Sequence, residues 1–220
     1  MNKSIYISIE GNIASGKSTI MNALKHICNT DPMLSDKFVF IDEKVTEWVK
    51  QFDDKGTSIL DLFYSNQQRY SLTFQLQVLM DQINELENKS NNNSFILGER
   101  CLNVSKDVFA KMLFDSQKMS IGEWKLFNTI YDRLYNSEPN MIVYCCRNAS
   151  ECLENVNKRA REGENNIDLG YLLQLETYHD KFLEQYDGII KKICIQQFDN
   201  EEEMNKETMK VAVQIIESII

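Results

Sequence analysis

What the chain has little of narrows its function first. Lys and Arg number 24 against 33 Asp and Glu, a net charge of −9. A nucleic-acid-binding face needs a basic excess, so no nucleic-acid partner is expected. Any phosphate ligand must then be held by a local cationic cluster in an otherwise acidic protein. No apolar run reaches the roughly 20 residues that a bilayer-spanning helix needs, so no membrane partner is expected either. The six cysteines, Cys28, Cys101, Cys145, Cys146, Cys152 and Cys194, lack metal-ligand spacing. Several fall in apolar runs, where Cys acts as a small hydrophobe, and reduced, buried thiols are expected. No signal-like or Arg-rich transit segment precedes the first apolar run. A cytoplasmic location follows as the expectation, with sequons such as Asn92-Asn93-Ser94 idle. There is no internal repeat and no linker-like stretch. With 43% apolar residues the chain can bury one sizeable core, and a single domain over 1–220 is expected.

The most informative stretch lies near the amino end. Ile5 to Ile9 alternates as a strand does, breaks at Gly11, and gives way to the helix-forming run Ile20-Met21-Asn22-Ala23-Leu24-Lys25. Between them, Gly11-Asn12-Ile13-Ala14-Ser15-Gly16-Lys17-Ser18-Thr19 fits the phosphate-loop pattern in its required strand–loop–helix context. Glycines there let backbone N–H groups turn inward onto phosphate oxygens. The start of the following helix adds free N–H groups and a positive dipole end. Lys17 is placed to reach the terminal phosphates and Ser18 to ligate Mg²⁺.

Further along, β-rich runs at Ile5–Glu10, Phe38–Glu43, Phe95–Glu99, Met141–Cys146 and Ile193–Ile195 alternate with helical patterns. That is the pattern of an α/β fold, a five-stranded parallel sheet flanked by helices on both faces. The longest helical pattern, about Asn66 to Lys89, carries an apolar stripe of Leu72, Leu76, Leu79, Ile83 and Leu86. A second stripe, Ile121, Trp124, Asn128, Tyr131 and Tyr135, follows Ser120. Core packing or a subunit interface would each account for them. Asn88–Ser94 reads as a polar loop, and Pro139 marks the loop before the fourth strand. An amphipathic helix from Met204 to Ile220, with Thr208, Val211, Ile215 and Ile219 on its apolar side, is expected to dock onto the sheet.

Ligands of open parallel sheets sit beyond the carboxyl ends of the strands. The first strand ends on the phosphate loop, the second on Asp42-Glu43 and the third on Glu99-Arg100. If these strands are neighbours, Lys17, Glu43, Glu99 and Arg100 share one cleft.

With these residues in place, the chain resembles the deoxynucleoside kinases of the type that includes deoxycytidine, deoxyguanosine and mitochondrial thymidine kinases. The matching pieces are the phosphate loop itself, Glu43-x-Val45-x-x-Trp48, Tyr64, Thr73-Phe74-Gln75, Glu99-Arg100, Glu123-Trp124, Arg159-x-Arg161-x-x-Glu164 and Tyr171-Leu172. The resemblance implies a P-loop kinase three-layer sandwich and an ATP- and Mg²⁺-dependent 5′-kinase of nucleotide salvage, working as a homodimer. It implies that Glu43 accepts the 5′-hydroxyl proton, that Arg100 keeps Glu43 ionised and offsets transferring charge, and that Glu99 completes the Mg²⁺ shell with Ser18. Arg159 and Arg161 would clamp phosphates from a lid near 159–168. Being two apart they share no helical face, so the backbone is expected to leave the helix there. Gln75 would pair with the base edge, Phe74 and Phe109 would sandwich the ring, and Trp48 would wall the pocket. Tyr64 and Glu164 would bind the 3′-hydroxyl.

Some positions depart from the family pattern. Lys44 stands where proline is frequent. Gln82 and Ser105 stand where members accepting purines and deoxycytidine carry Arg and Asp. With Val78 they are the specificity candidates, and their lack of charge favours a pyrimidine (thymidine included) or broad acceptor range. Adenine contacts near Phe198-Asp199-Asn200 align too loosely to assign. Two rivals remain: a thymidylate-type monophosphate kinase, which lacks its acid or Arg inside the loop here, and a GTP-binding switch. The latter's Asp-x-x-Gly pattern is met by Asp53-Asp54-Lys55-Gly56, but Asn157-Lys158-Arg159-Ala160 stops short of its guanine motif.

Overall fold

A computed structural model describes residues 4–50, 52–89, 95–134, 138–194 and 201–219. Five strands, β1 (Ile5–Glu10), β2 (Phe38–Ile41), β3 (Phe95–Glu99), β4 (Met141–Cys146) and β5 (Ile189–Cys194), form one sheet in the order β2-β3-β1-β4-β5. Every ladder is parallel. The helices are α1 (Lys17–Thr30), α2 (Val45–Trp48), α3 (Ile59–Ser65), α4 (Gln67–Lys89), α5 (Leu102–Val104), α6 (Lys111–Asp115), α7 (Ile121–Leu134), α8 (Ala149–Arg159), α9 (Leu169–Gln185) and α10 (Glu201–Glu217). A π-helical segment, Ser105–Ala110, joins α5 to α6.

Alternation along the strands divides the core. Ile7, Ile9, Leu97, Met141 and Val143 pack under α1 and α10. Tyr6, Ile96, Ile142 and Tyr144 face the other way, toward α3, α4, α8, α9 and the π segment. Ser8 and Glu10 share that second side, both fully buried. Helices therefore cover both sheet faces, the three-layer arrangement that the alternating pattern predicts.

Several expectations need adjusting. β2 stops at Ile41, so Asp42 and Glu43 lie in the loop beyond it. β5 begins at Ile189, earlier than expected, because it lies at the sheet edge, paired among the described residues with β4, and Lys191 and Lys192, on opposite faces of the strand, interrupt the apolar run. Cys194, at its end, is exposed, unlike the buried Cys28, Cys101, Cys145 and Cys152. The α4 stripe does not stay free for a partner at Leu79, which is wholly buried within the chain among Ile83, Leu102, Ala110, Phe127 and Tyr131. Phe127, absent from the expected stripe, is the residue of α7 buried most deeply there. α10 rests mainly on α1, with Ala212, Ile215 and Ile216 buried in the cluster shared with β1 and β4. Ile195, Tyr135, residues 90–94 of the polar loop and Phe198-Asp199-Asn200 lie outside the described residues.

Candidate active site

β1 sits centrally, and the loop it feeds is bent by three positive φ values: Gly11 at 143°, Ala14 at 59° and Gly16 at 103°. Gly11 is the least replaceable. A Cβ there would lie 2.6 Å from Ser15 Oγ and 2.7 Å from the Cys145 carbonyl oxygen. Gly16 opens α1 without any side-chain cap, leaving the first N–H groups of the helix to a ligand. Side chains pin the loop from three directions. Asn12 Nδ2 donates to the Leu172 carbonyl (2.9 Å), Asn155 Nδ2 to that of Ala14 (3.0 Å) and Lys17 Nζ to that of Asn12 (2.8 Å). Ile13, Ala14, Gly16, Lys17, Ser18 and Thr19 line a cavity of about 510 Å³, the size of a small-molecule site. Gly11, Asn12 and Ser15 shape the loop from behind and do not line it. Burial, reinforced by Arg100, holds the Lys17 amine below its ordinary pKa, against the pull of Glu99 and Glu43.

Glu43, Glu99 and Arg100 converge on this loop. Arg100 Nε donates to Glu43 Oε1 at 2.8 Å, and Arg100 Nη1 donates to the Gly11 carbonyl at 3.0 Å. The guanidinium carbon lies 4.6 Å from the centre of the Phe109 ring, a cation–π contact. Arg100 adopts φ 65°, a left-handed conformation costly for a non-glycine residue. Burial by itself would raise the Glu43 carboxyl, but Arg100 and Lys17 outweigh it and hold the group below its ordinary pKa. Glu99, 6% exposed, shifts up, from desolvation and from the nearby Glu43. Ser18 Oγ donates to Glu99 Oε1 at 2.9 Å. These two hard oxygen donors beside the phosphate loop fit Mg²⁺, which binds few protein ligands and otherwise phosphates and water.

The opposite wall is apolar and aromatic. Phe74 stacks on Phe63 (4.7 Å) and meets Trp48 edge-on (5.3 Å), while Trp48 Nε1 donates to Asp81 Oδ2 at 2.7 Å. Tyr64 meets Tyr171 edge-on at 5.9 Å. Trp48, Phe74, Gln75, Val78, Ser105 and Phe109 all line the cavity. Gln75 is buried with Oε1 unpartnered among the described residues, an acceptor open to a ligand. Gln82 does not line the cavity. It lies behind Ser105, whose Oγ donates to Gln82 Oε1 at 2.9 Å. Ser105 and Phe109 both sit on the π segment, an irregularity that often marks functional sites. Phe109 also rests edge-on against His179 (6.0 Å), a ring that burial and the Arg100 charge keep neutral, with its pKa pushed down to about 3.

α8 ends at Arg159, and Ala160 turns left-handed at φ 44°, as the Arg159–Arg161 spacing requires. Arg159 donates to Glu164 through Nε (2.9 Å) and Nη2 (2.8 Å), and Arg161 Nη1 adds a third bond to Glu164 Oε1 at 3.1 Å. All three line the cavity. Sequence reasoning missed other lining residues: Leu60, Phe63, Arg147, Asn155, Lys158, Met204 and Thr208. Arg147 follows β4 as Arg100 follows β3, a strand-end signal that was available. Met204 and Thr208 carried no local signal, because only the docking of α10 brings them in. Asp53-Asp54-Lys55-Gly56 is a surface turn in which Asp53 Oδ1 accepts from the Lys55 and Thr57 N–H groups, and none of its residues lines the cavity.

Known proteins resemble this chain along most of its length. The kinase-named protein 029R of Invertebrate iridescent virus 3 is 30% identical over 185 residues, covering 83% of this chain and 84% of that protein. Deoxycytidine kinase of Homo sapiens is 29% identical and that of Bos taurus 30%, each over 200 residues, 80% of this chain and 74% of theirs. The family model for deoxynucleoside kinases matches residues 7–220. With a phosphate loop on the central strand and the Glu43–Arg100–Glu99 group beside it, this chain belongs to the deoxynucleoside kinase family.

Proposed function

We propose that this ATP-dependent deoxynucleoside kinase acts on pyrimidine deoxynucleosides, with Glu43 as the base that takes the 5′-hydroxyl proton. One observation carries the assignment of Glu43. A single guanidinium, that of Arg100, bonds both its carboxylate and the Gly11 carbonyl of the phosphate loop. Base and phosphate cradle are thus bridged by one side chain at the edge of the same cavity. Phosphoryl transfer passes through a loose transition state, so Glu43 contributes mainly by orienting the hydroxyl. Arg100 keeps Glu43 ionised and faces charge on the transferring group. Lys17 and the N–H groups at the start of α1 hold the triphosphate, with Arg159 and Arg161 closing over it from a lid near 159–168. Ser18 and Glu99 would hold Mg²⁺, which when bound offsets phosphate charge.

At the acceptor end, Tyr64 and Glu164 take the 3′-hydroxyl, while Phe74, Phe109 and Trp48 enclose the base. The open Gln75 acceptor and the uncharged Ser105, with Gln82 behind it, support a pyrimidine edge. Deoxycytidine and thymidine are the two acceptors to compare first: relatives carry the name deoxycytidine kinase, while Gln82 and Ser105 lack the charged pair of deoxycytidine-accepting members. Steady-state ATP consumption against the four deoxynucleosides and their monophosphates tests this. Faster turnover with purine nucleosides would overturn the specificity, and turnover confined to monophosphates would overturn the acceptor class. A homodimer is also proposed. Leu79 is unavailable, but Met80, Ile121 and Leu126 are exposed apolar residues on α4 and α7. A monomer by sedimentation at micromolar concentration would refute it.

A further inference from the structure

Glu10 is a buried carboxyl that the reaction just described does not use. It is 1% exposed, at the end of β1 and directly before the phosphate loop. Its Oε1 accepts two hydrogen bonds, from Ser8 Oγ at 2.6 Å and from the Cys101 backbone N–H at 2.7 Å, while Oε2 has no partner among the described residues. A buried carboxyl with an orphaned oxygen is expensive to keep, and burial raises its pKa. A hydrophobic side chain would fill this place on β1 at no such cost, so a carboxyl here calls for a role.

That role lies in what Cys101 N–H follows. Arg100 is left-handed, and its backbone is tied down on either side of that strained residue. Arg100 N–H donates to the Ile9 carbonyl (3.2 Å), Tyr6 Oη reaches the Arg100 carbonyl (3.4 Å), and the next N–H, that of Cys101, goes to Glu10. The Glu10 bond is the shortest of the three and the one made by a carboxyl group. With the backbone so held, the guanidinium is aimed at Glu43 and Gly11.

We infer that Glu10 is a positioning residue for phosphoryl transfer: by accepting the Cys101 N–H it locks Arg100 in the left-handed turn that directs its guanidinium onto Glu43 and the phosphate loop. This rests on the role proposed above for Arg100. It requires an acceptor oxygen at Glu10 and not a negative charge, because the contact to Cys101 is a hydrogen bond to a neutral amide.

Two variants separate the possibilities. E10M removes the acceptor while conserving bulk; E10Q keeps an acceptor oxygen and removes any charge. Misplacing a catalytic group by about 1 Å costs on the order of 10²-fold, so kcat with ATP and the best deoxynucleoside should fall about 100-fold in E10M. KM for ATP should stay within about threefold, since the loop N–H groups are untouched. E10Q should recover kcat to within about fivefold of wild type. In a double-mutant cycle, R100K should lose little further activity when E10M is added. Wild-type kcat in E10M would overturn the inference. So would an inactive E10Q, or an E10M defect that raises KM for ATP in parallel and adds fully to R100K. If R100K and R100A themselves turn over normally, the fault lies in the assigned role of Arg100, a result distinguishable from an impaired R100A beside an unimpaired E10M.

Discussion

Replacing Glu43 by Gln isolates the step on which the mechanism turns. The amide has the same shape and keeps an oxygen for Arg100 Nε, now 2.8 Å from Glu43 Oε1, but it cannot take a proton. General bases contribute about 10²–10⁴-fold, and a loose transition state puts this one toward the lower end. A fall in kcat of about 10²-fold is expected, about 2.7 kcal/mol at 1.36 kcal/mol per tenfold. Stability changes less. Removing one partner of a buried ion pair costs about 3–5 kcal/mol, but Gln leaves Arg100 an acceptor, and the Gly11 carbonyl and Phe109 ring remain. A loss of about 1–2 kcal/mol, or about 3–6 °C in Tm for a chain of this length, is the expected ceiling. The pH profile adds a signature. Because Glu43 is held below its ordinary pKa, its contribution to stability and to turnover is present above the unfolded-state value and is lost as pH falls through the depressed folded value. E43Q should lack that acid limb. Coupled ADP release gives kcat, and calorimetry, carried from neutrality down through the ordinary carboxylate range and below it, gives stability and its acid limb. Wild-type kcat in E43Q, or a change confined to KM for ATP, would refute the assignment.

Three further outcomes are expected. Glu99→Gln should leave the fold intact, since Ser18 Oγ can still donate to the amide oxygen, while raising the Mg²⁺ concentration for half-maximal turnover at least about tenfold; an unchanged Mg²⁺ titration would remove Glu99 from the metal shell. Gly11→Ala should abolish ATP binding, because its Cβ would meet Ser15 Oγ at 2.6 Å and the Cys145 carbonyl at 2.7 Å in a left-handed backbone; binding within threefold of wild type by equilibrium titration would contradict this. The pH–rate profile should show no histidine limb from His179 near neutrality, since burial has pushed that ring to about 3, and His179→Phe should leave the profile's shape unchanged between pH 5 and 8.

How much could be read beforehand depends on how local the signal is. The phosphate loop was legible because all its determinants fall within nine consecutive residues. Glu43 and Glu99-Arg100 were legible as charges where apolar runs stop, and sheet order then gathers them. β5 was half hidden because, at the sheet edge, Lys191 and Lys192 break its apolar run. Met204 and Thr208 could not be found, since helical periodicity says which side of α10 is apolar but not that one end of it reaches the cavity. Neither could the role of Gln82. It shares a helix side with Gln75 and Val78, but only the packing of the π segment puts Ser105 in front of it.

Glu164 carries a simple arithmetic. A carboxylate offers about four lone-pair sites, and Arg159 and Arg161 already occupy three with N–H donors. One vacancy remains. If Glu164 takes the 3′-hydroxyl as proposed, a sugar presenting a lone alcohol would fill it without evicting a guanidinium, whereas a vicinal diol would bring a second alcohol that this carboxylate has no site left to accept. Exclusion of ribose would then come from counting valences on one oxygen pair, with no steric bumper required.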